Sequence, residues 1–587
     1  MTDRLFLLRR GIVVGLALLV LRLAFMQLAR GAAYRQLADN NRLRLVPQAA
    51  ARGVMLDRQG RQLATSRRQF RVAVIPQEAI NRRATMKRLG PLVDLPPGEL
   101  DWRFDEDRSL PFLPATLVSS VSKPVALRIE EAHLDLPGIV IEHAITRAYP
   151  LGSVAATLLG YVGPPDPDAL PALKPYGISP QELVGRAGLE QALDAYLRGR
   201  AGGSLIEVNH VARQVRVVGR REPVAGQSVV LTIDAKLQAL IEGQFQQHQQ
   251  PGACVVLKPD TGEVLAMVSF PAFDPEAFAT RQRSAIQQVF RDPRAPLMNR
   301  ATNGAYLPGS IVKPLTAMTA LEQGVATAGT TIQCPGFLTI GNRKFHCWNR
   351  DGHGPMTLRE ALRVSCNVYF MDVGRRLGQE RLRAGFSGMG FGRRTGWLME
   401  EQAGYLPLRL RLNEGEVALL AMGQGDILIT PLQAAVLAAA IANQEWVVEP
   451  WVVKTVGRNP AGSGTPLGSE GLRFGEVEVG HPRTRPLGWS PAHLAIVREG
   501  MLEVVNHSDG TGARAKSELV RIAGKTGTAQ THIQGHPHAW FIGFCPAENP
   551  AIAMAVLAEH GGSGGDFPAA TAKVICEAVV ADRSPDG

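Results

Sequence analysis

The sequence contains no internal repeat, no zinc-finger spacing, no aromatic RNA-binding signature and no dense run of basic residues. Those absences remove the usual marks of a nucleic-acid binder, so a net charge of +11 and a pI near 9.6 need another explanation. An anionic surface such as a membrane or a cell-wall polymer supplies one. Long apolar runs are also scarce, and one, from Gly11 to Ala29, stands out. It is long enough for a bilayer core of about 30 Å; Arg22 within it requires snorkelling or a partner helix. The run exceeds a usual signal-peptide core, and Gly31 and Ala33 make a weak cleavage site. An uncleaved anchor is therefore expected, with a cleaved signal as the alternative. Arg4, Arg9 and Arg10 precede it and Arg30, Arg35, Arg42 and Arg44 follow, so charge does not settle its orientation.

A phosphate-cradling P-loop is missing as well. Gly524-Lys525-Thr526 resembles the end of one, but Leu519 stands where that motif needs its first glycine. Val520 and Ile522 alternate into Lys525, so this stretch reads instead as the end of a strand. Gly524 and Gly527 would let a substrate backbone lie close against it.

The informative positive feature is Leu307-Pro308-Gly309-Ser310-Ile311-Val312-Lys313-Pro314, followed by apolar residues at Leu315, Met318 and Leu321 in helical spacing. Residues i and i+3 share a helix face, which brings the Lys313 amine within reach of the Ser310 hydroxyl. A serine needs a neighbouring base to become nucleophilic, and a desolvated lysine can be that base. Alone, the pair also fits a helix cap beside a solvated lysine. Ser365-Cys366-Asn367 and Lys525-Thr526-Gly527-Thr528, in that order behind it, complete the serine–lysine, S-x-N and K-T-G set of penicillin-binding proteins and serine β-lactamases.

The chain has room for roughly two to four domains. Residues 48 to 230 mix short strands, prolines and helices without a catalytic constellation. A helical stretch opens at Gly188-Leu189-Glu190 and ends near Gly199, and Leu205 to Val208 reads as a strand. Beyond residue 252, Ala253–Leu257 and Glu263–Val268 flank the turn Pro259-Asp260-Thr261-Gly262. Ala539–Phe544 and Ile552–Leu557 are further strands, and Ala569–Val580 a closing helix. Strands first and last with helices between them indicate an α+β domain on a mainly antiparallel sheet. Gly457 to Gly471, rich in glycine, serine and proline, reads as a loop.

Nearly the whole chain resembles the class B penicillin-binding proteins, most closely the penicillin-binding protein 2 branch, the elongation transpeptidases. The resemblance rests on the three motifs, on Asn40-Asn41-Arg42-Leu43-Arg44-Leu45-Val46-Pro47, on the R-G-V-M-L-D-R-Q-G stretch from Arg52 and on G-R-A-G-L-E from Gly185. It extends to Gly304–Ser310, Gly423-Gln424-Gly425 and His538–Gly543. It implies a cytoplasmic tail (1–10), a transmembrane anchor (11–30), a non-catalytic pedestal of dimerisation type (31–230) and a transpeptidase domain (231–587) in the periplasm. It implies a DD-transpeptidase, a target of β-lactams, that cross-links peptidoglycan stem peptides, with D-Ala-D-Ala carboxypeptidase as a side activity. Ser310 would attack the carbonyl between two D-alanines, with Lys313 as base, Ser365 relaying protons and Asn367 holding Lys313 and the substrate amide. Lys525 and Thr528, within the substrate-binding set Lys525, Thr526, Gly527 and Thr528, would bind the terminal carboxylate. Backbone N–H groups of Ser310 and Thr528 would form the oxyanion hole, worth about 3–4 kcal/mol per donor. The glycan polymerase RodA and the scaffold MreC are the partners the family implies. A division-specific paralogue and a membrane-bound β-lactam sensor are the rival readings; a sensor would carry a larger signalling part before the anchor.

Cys334, Cys347, His353 and Cys366 are expected to bind a structural Zn2+ ion, because thiolate and imidazole are preferred zinc ligands and four of them close the site. Members of the branch carry zinc beside the S-x-N motif through two aspartates, a histidine and a cysteine. His353 and Cys366 match the last two, and cysteines replace the aspartates. His346 is a substitute ligand. A disulfide in an oxidising compartment, or buried thiols like those expected for Cys254, Cys545 and Cys576, are the alternatives. Trp540 reads as a packing residue.

Overall fold

Strands buried on both faces decide the architecture of the C-terminal half. The computed structural model describes residues 2–31, 43–79, 81–108, 114–166, 168, 182–208, 214–408, 411–457, 484–530 and 536–582. Five strands, β1 (Gly252–Leu257), β2 (Val264–Phe270), β3 (Ala523–Ala529), β4 (His538–Cys545) and β5 (Ile552–Ala558), form one antiparallel sheet in the order β2-β1-β5-β4-β3. Every residue of β1 and β5 is buried, so both sheet faces are covered. Ala253, Val255 and Leu257 point into one core and Cys254 and Val256 into another, as a two-residue period requires.

The helices that supply those cores are α1 (Ala235–Gln247), α2 (Lys313–Glu322), α3 (Leu358–Arg363), α4 (Asn367–Met389), α5 (Pro431–Asn443), α6 (Pro491–Asn506) and α7 (Phe567–Ala581). α5, apolar all round and buried from Pro431 to Ala442, packs on one face of the sheet; α1 and α7 pack on the other. Fully burying the Leu432, Val436, Leu437 and Ile441 side chains of α5 is worth about 1.5–3 kcal/mol each. Gly378, with φ of 74°, breaks α4 in its middle. The K-T-G residues sit in the middle of edge strand β3 rather than at its end, because pairing with β4 begins only at Ala523 and runs on to Ala529.

Toward the N-terminus, a helix covers Thr2–Ala24 and continues in wider turns to Ala29. Its segment Arg9–Leu28 has a mean hydropathy of 2.2 and is long and apolar enough to cross a membrane. Leu43–Gln48 pairs with Gly202–Val208, which pairs with Gln214–Arg221. The expected helical stretch after Gly188 is two short helices, Gly188–Ala192 and Asp194–Leu197. Glu190, on the first, explains the G-R-A-G-L-E segment. It is fully buried and receives Arg147 Nε at 2.6 Å and Arg52 Nη2 at 2.7 Å, so two guanidinium groups converge on one carboxylate.

A six-stranded sheet joins the two halves. Met55–Leu56 pairs with Gln62–Val74 on one side and, in parallel, with Val229–Leu231 on the other. Val453–Val456, from deep in the C-terminal half, completes that edge. The boundary placed at residue 231 therefore falls inside a strand whose neighbours come from both halves. The glycine-rich stretch expected as a loop lies, apart from Gly457, outside the described residues.

Candidate active site

Pro308 and Gly309 stop the preceding chain, and a tight turn over Gly309–Val312 leads into α2, with Pro314 in the first turn, where its missing N–H costs nothing. Ser310 is half-buried on that turn, and Lys313, at the head of α2, is completely buried. Its amine does not bond to Ser310 among the described residues. Nζ donates to Ser365 O at 2.8 Å and to Asn367 Oδ1 at 2.8 Å, and lies 3.3 Å from Ser365 Oγ. Helical spacing put lysine and serine on one face, but two carbonyl acceptors of the S-x-N segment claim the N–H groups. A neutral amine has two hydrogens and one lone pair. With both hydrogens committed to carbonyls, the lone pair is left for a hydroxyl proton.

α3 is opened by a capping box, Thr357 with Glu360, and ends just before Ser365. Ser365 turns the chain with φ of 56°, in the left-handed region that a non-glycine residue rarely adopts. Ser365 is thus no helix cap; Cys366 caps α4, its sulfur accepting from Tyr369 N–H at 3.4 Å. Asn367 opens α4.

β3 brings the third motif. Lys525 is buried, and its Nζ donates to Ser365 Oγ at 2.9 Å and to Thr526 O at 2.9 Å. Thr526 and Thr528 share a strand face by the two-residue period, and the Thr526 hydroxyl meets that of Thr511 at 2.7 Å. Gly527 is obligatory: a Cβ there would come 2.8 Å from Ile311 Cγ2 and 3.1 Å from Pro308 O. Gly309, with φ of 57°, would likewise carry a Cβ 2.8 Å from Thr528 O. The Ser310 turn and the K-T-G strand are therefore in close backbone contact, and all three motifs meet at one place.

Burial pulls the Lys313 amine down to about 8, against a smaller opposing pull from the Cys366 and Cys347 sulfurs. Burial, with Lys313 as a like charge nearby, holds Lys525 well below the ordinary lysine range. A lysine that sheds its proton this readily, close to a serine, is equipped for acyl transfer.

The four expected metal ligands come together. Cys334, Cys347, His353 and Cys366 offer ligand atoms that all lie within 4.8 Å of one another. His353 Nδ1 is 3.6 Å from both the Cys334 and the Cys347 sulfur, and Cys347 and Cys366 sulfurs are 4.0 Å apart. Tetrahedral zinc with bonds of about 2.3 Å to sulfur and about 2.0 Å to nitrogen sets sulfurs roughly 3.8 Å apart and sulfur and nitrogen roughly 3.6 Å apart. The donor set fits zinc. All six cysteines are free. His346 is exposed and outside the cluster, against Phe337. The Cys347 thiol is held below the ordinary thiol range. The hydrogen bond from Cys366 is the main cause, followed by the N–H groups at the start of α4. Asn367 N–H donates to the Cys347 sulfur at 3.4 Å, so the cluster and the S-x-N segment share backbone.

Trp540 is buried as expected, and it also donates its indole N–H to Leu307 O at 3.0 Å. Tyr306 and Glu559, bonded at 2.7 Å, went unnoticed in the sequence because they are 253 positions apart. An acid closing an apolar strand was the one available signal.

Residues 252–577 match the penicillin binding protein transpeptidase domain and residues 47–231 the penicillin-binding protein dimerisation domain. The peptidoglycan D,D-transpeptidase MrdA of Acinetobacter baumannii is 31% identical over 96% of this chain and 85% of its own length. Penicillin-binding protein 2 of Helicobacter pylori, solved in complex with MreC, superposes with a TM-score of 0.77 at 25% identity, over 92% of this chain and 99% of that one. A chain solved as part of a peptidoglycan synthase complex that coordinates polymerization and crosslinking superposes with a TM-score of 0.71 at 30% identity, over 100% of both.

Proposed function

The chain belongs to the class B penicillin-binding proteins, in the penicillin-binding protein 2 branch, and from that premise we propose that it cross-links peptidoglycan stem peptides through an acyl-enzyme on Ser310 during cell-wall elongation. The observation that carries this reading is the convergence of two buried amines, Lys313 and Lys525, on the S-x-N serine beside the Ser310 turn.

Neutral Lys313 takes the Ser310 proton as Oγ attacks the carbonyl between the two terminal D-alanines. The backbone N–H groups of Ser310 and Thr528 hold the oxyanion, worth about 3–4 kcal/mol per donor. As the carbon–nitrogen bond breaks, the proton passes through Ser365 to the leaving amine, and one D-alanine departs. An amine of a neighbouring stem peptide then attacks the ester; its proton returns through the same path and Ser310 is regenerated. Water in place of the amine gives carboxypeptidase side activity. Lys525 and Thr528 hold the substrate carboxylate, and Asn367 orients Lys313 and the substrate amide. β-Lactams, which present a carboxylate beside a strained amide, follow the first half of this course.

Cys334, Cys347, His353 and Cys366 would hold a zinc ion, whose chemistry is structural: four ligands leave no open position, and the ion would tie the S-x-N turn to the strand end at Cys334 and the hairpin end at Cys347. The N-terminal helix anchors the chain, with the catalytic half in the periplasm, where the substrate lies. The pedestal couples it to MreC and to the glycan polymerase RodA.

Fluorescent penicillin with wild-type protein and Ser310→Ala tests the reading. Mass spectrometry is expected to place a long-lived adduct on the Ser310 peptide. Undiminished labelling of the variant, or rapid drug turnover, overturns it.

A further inference from the structure

The chain that carries Ser310 into the cleft has no helix or strand of its own. From Asn299 to Pro308 it runs in turns, so its path is set by attachments to other elements. Tyr306 exchanges two backbone hydrogen bonds with Ile429, each 2.9 Å long, and Gly309 N–H donates to Gly423 O at 2.9 Å. Trp540 of β4 holds Leu307 O.

Ala301 O accepts from Leu432 N–H at 3.0 Å, Thr302 O accepts from Gln402 N–H at 2.9 Å, and Arg300 N–H donates to Ser269 Oγ at 3.0 Å. A carboxylate is the attachment that grips both Arg300 and Tyr306. Glu559, directly after β5, accepts the Tyr306 hydroxyl on Oε1 at 2.7 Å and Arg300 Nε on Oε2 at 2.9 Å. Each oxygen thus holds one end of the stretch between Arg300 and Tyr306. Glu559 is itself pinned: its N–H donates to Pro251 O at 2.8 Å, and its carbonyl accepts Gln250 Nε2 at 2.8 Å. Arg300 spends its other nitrogens on Ala295 O and Arg294 O. The Arg300 and Glu559 side chains are 6% and 18% exposed, so solvent offers little substitute for either bond. Charge-assisted hydrogen bonds in such surroundings are about twice as strong as neutral ones. Burial, with Glu559 alongside, pushes the Tyr306 phenol up, so it stays a donor throughout the neutral range.

We propose that Glu559 is a positioning residue for the nucleophile: through Tyr306 and Arg300 it fixes the segment that presents Ser310 Oγ to the scissile carbonyl. The inference rests on Ser310 being the acylated residue. Glu559 acts through its two partners and transfers no proton. Its removal leaves the cleft residues in place and lets the serine wander, and a displacement of about 1 Å in a reacting atom costs on the order of a hundredfold in rate.

The test uses the full chain in detergent and the variants Tyr306→Phe and Glu559→Gln, with stopped-flow separation of the β-lactam Kd from the acylation rate constant. Tm and the fraction of molecules that finally become labelled are measured alongside. The expected result is an acylation rate constant lower by about ten- to a hundredfold in both variants, with Kd, Tm and the labelled fraction unchanged. If Glu559→Gln does not fold, Tyr306→Phe, which removes a single oxygen, decides alone. An unchanged rate constant overturns the proposal. So does a rate loss that appears only together with a lower Tm and labelled fraction, which marks a role in stability alone. Wild-type protein run in parallel keeps the two claims apart: no adduct on its Ser310 defeats the acyl-enzyme reading, whereas a labelled wild type beside unimpaired variants defeats only this one.

Discussion

Lys313 and Lys525 share one hydroxyl. Ser365 Oγ lies 3.3 Å from the first amine and 2.9 Å from the second, and both amines are fully buried. Two ammonium groups cannot both stay charged at that separation without water, since burial and like charge each disfavour the protonated form. A pair placed this way gives up a proton more readily than ordinary lysines do.

The acylation rate is expected to rise with pH through about 8, the value to which burial brings Lys313 from an ordinary 10.5. The sign follows from the base form: a lowered pKa means that the neutral amine accumulates on the alkaline side. Lys313→Arg is expected to lower the rate by about 10²–10⁴ and to abolish the limb, because a guanidinium does not deprotonate. Second-order acylation rates across the neutral-to-alkaline range measure this, and a flat wild-type profile contradicts it.

Protein purified without chelator is expected to contain about one zinc per chain. Cys347→Ser should lower the metal content and, through the Asn367 N–H that bonds to this sulfur, the acylation rate. Cobalt substitution should add thiolate-to-metal charge-transfer absorption that diminishes in Cys334→Ala. Metal-free protein with full acylation activity would falsify the structural role.

Glu190→Ala should destabilise the pedestal by about 3–5 kcal/mol, because two buried guanidinium groups lose their shared partner. Burial alone would raise the Glu190 carboxyl, but Arg147 and Arg52 outweigh it and hold it below the ordinary 4.5. A depressed carboxyl contributes stability that is present above the unfolded value and lost as pH falls through the folded one. Acid unfolding of the wild type should therefore begin below about pH 4.5, and Glu190→Gln should blunt that limb. Chemical denaturation at neutral and acid pH provides the measurement.

A chain beginning at residue 31 should keep penicillin binding but fail to activate a glycan polymerase in membranes. Labelling and glycan-chain synthesis, measured side by side, decide; full activation without the anchor would exclude coupling through it.

The chemistry was legible because it sits in short segments. Ser310, Lys313, Ser365, Asn367 and Lys525 each belong to a motif whose order survives in one dimension, and the five-stranded sheet follows from alternating or continuous apolar runs. The direction of the Lys313 amine was not legible, since a helical face fixes proximity to Ser310 but not which acceptors win the hydrogens. The strand at Val453–Val456, too short and half-polar to stand out, gains its identity only by pairing with Val229–Leu231. Tyr306 and Glu559 stand 253 positions apart, and an acid closing an apolar strand is the one local sign of their contact.

That pairing of Val453–Val456 with Val229–Leu231, and of the latter with Met55–Leu56, also bears on how the chain can be divided. A cut near residue 231 would leave each piece with part of a backbone ladder. Each piece would gain an exposed strand edge prone to pairing with other chains. A catalytic fragment that stays soluble must therefore carry the three strands together, so the smallest separable unit is wider than the catalytic half.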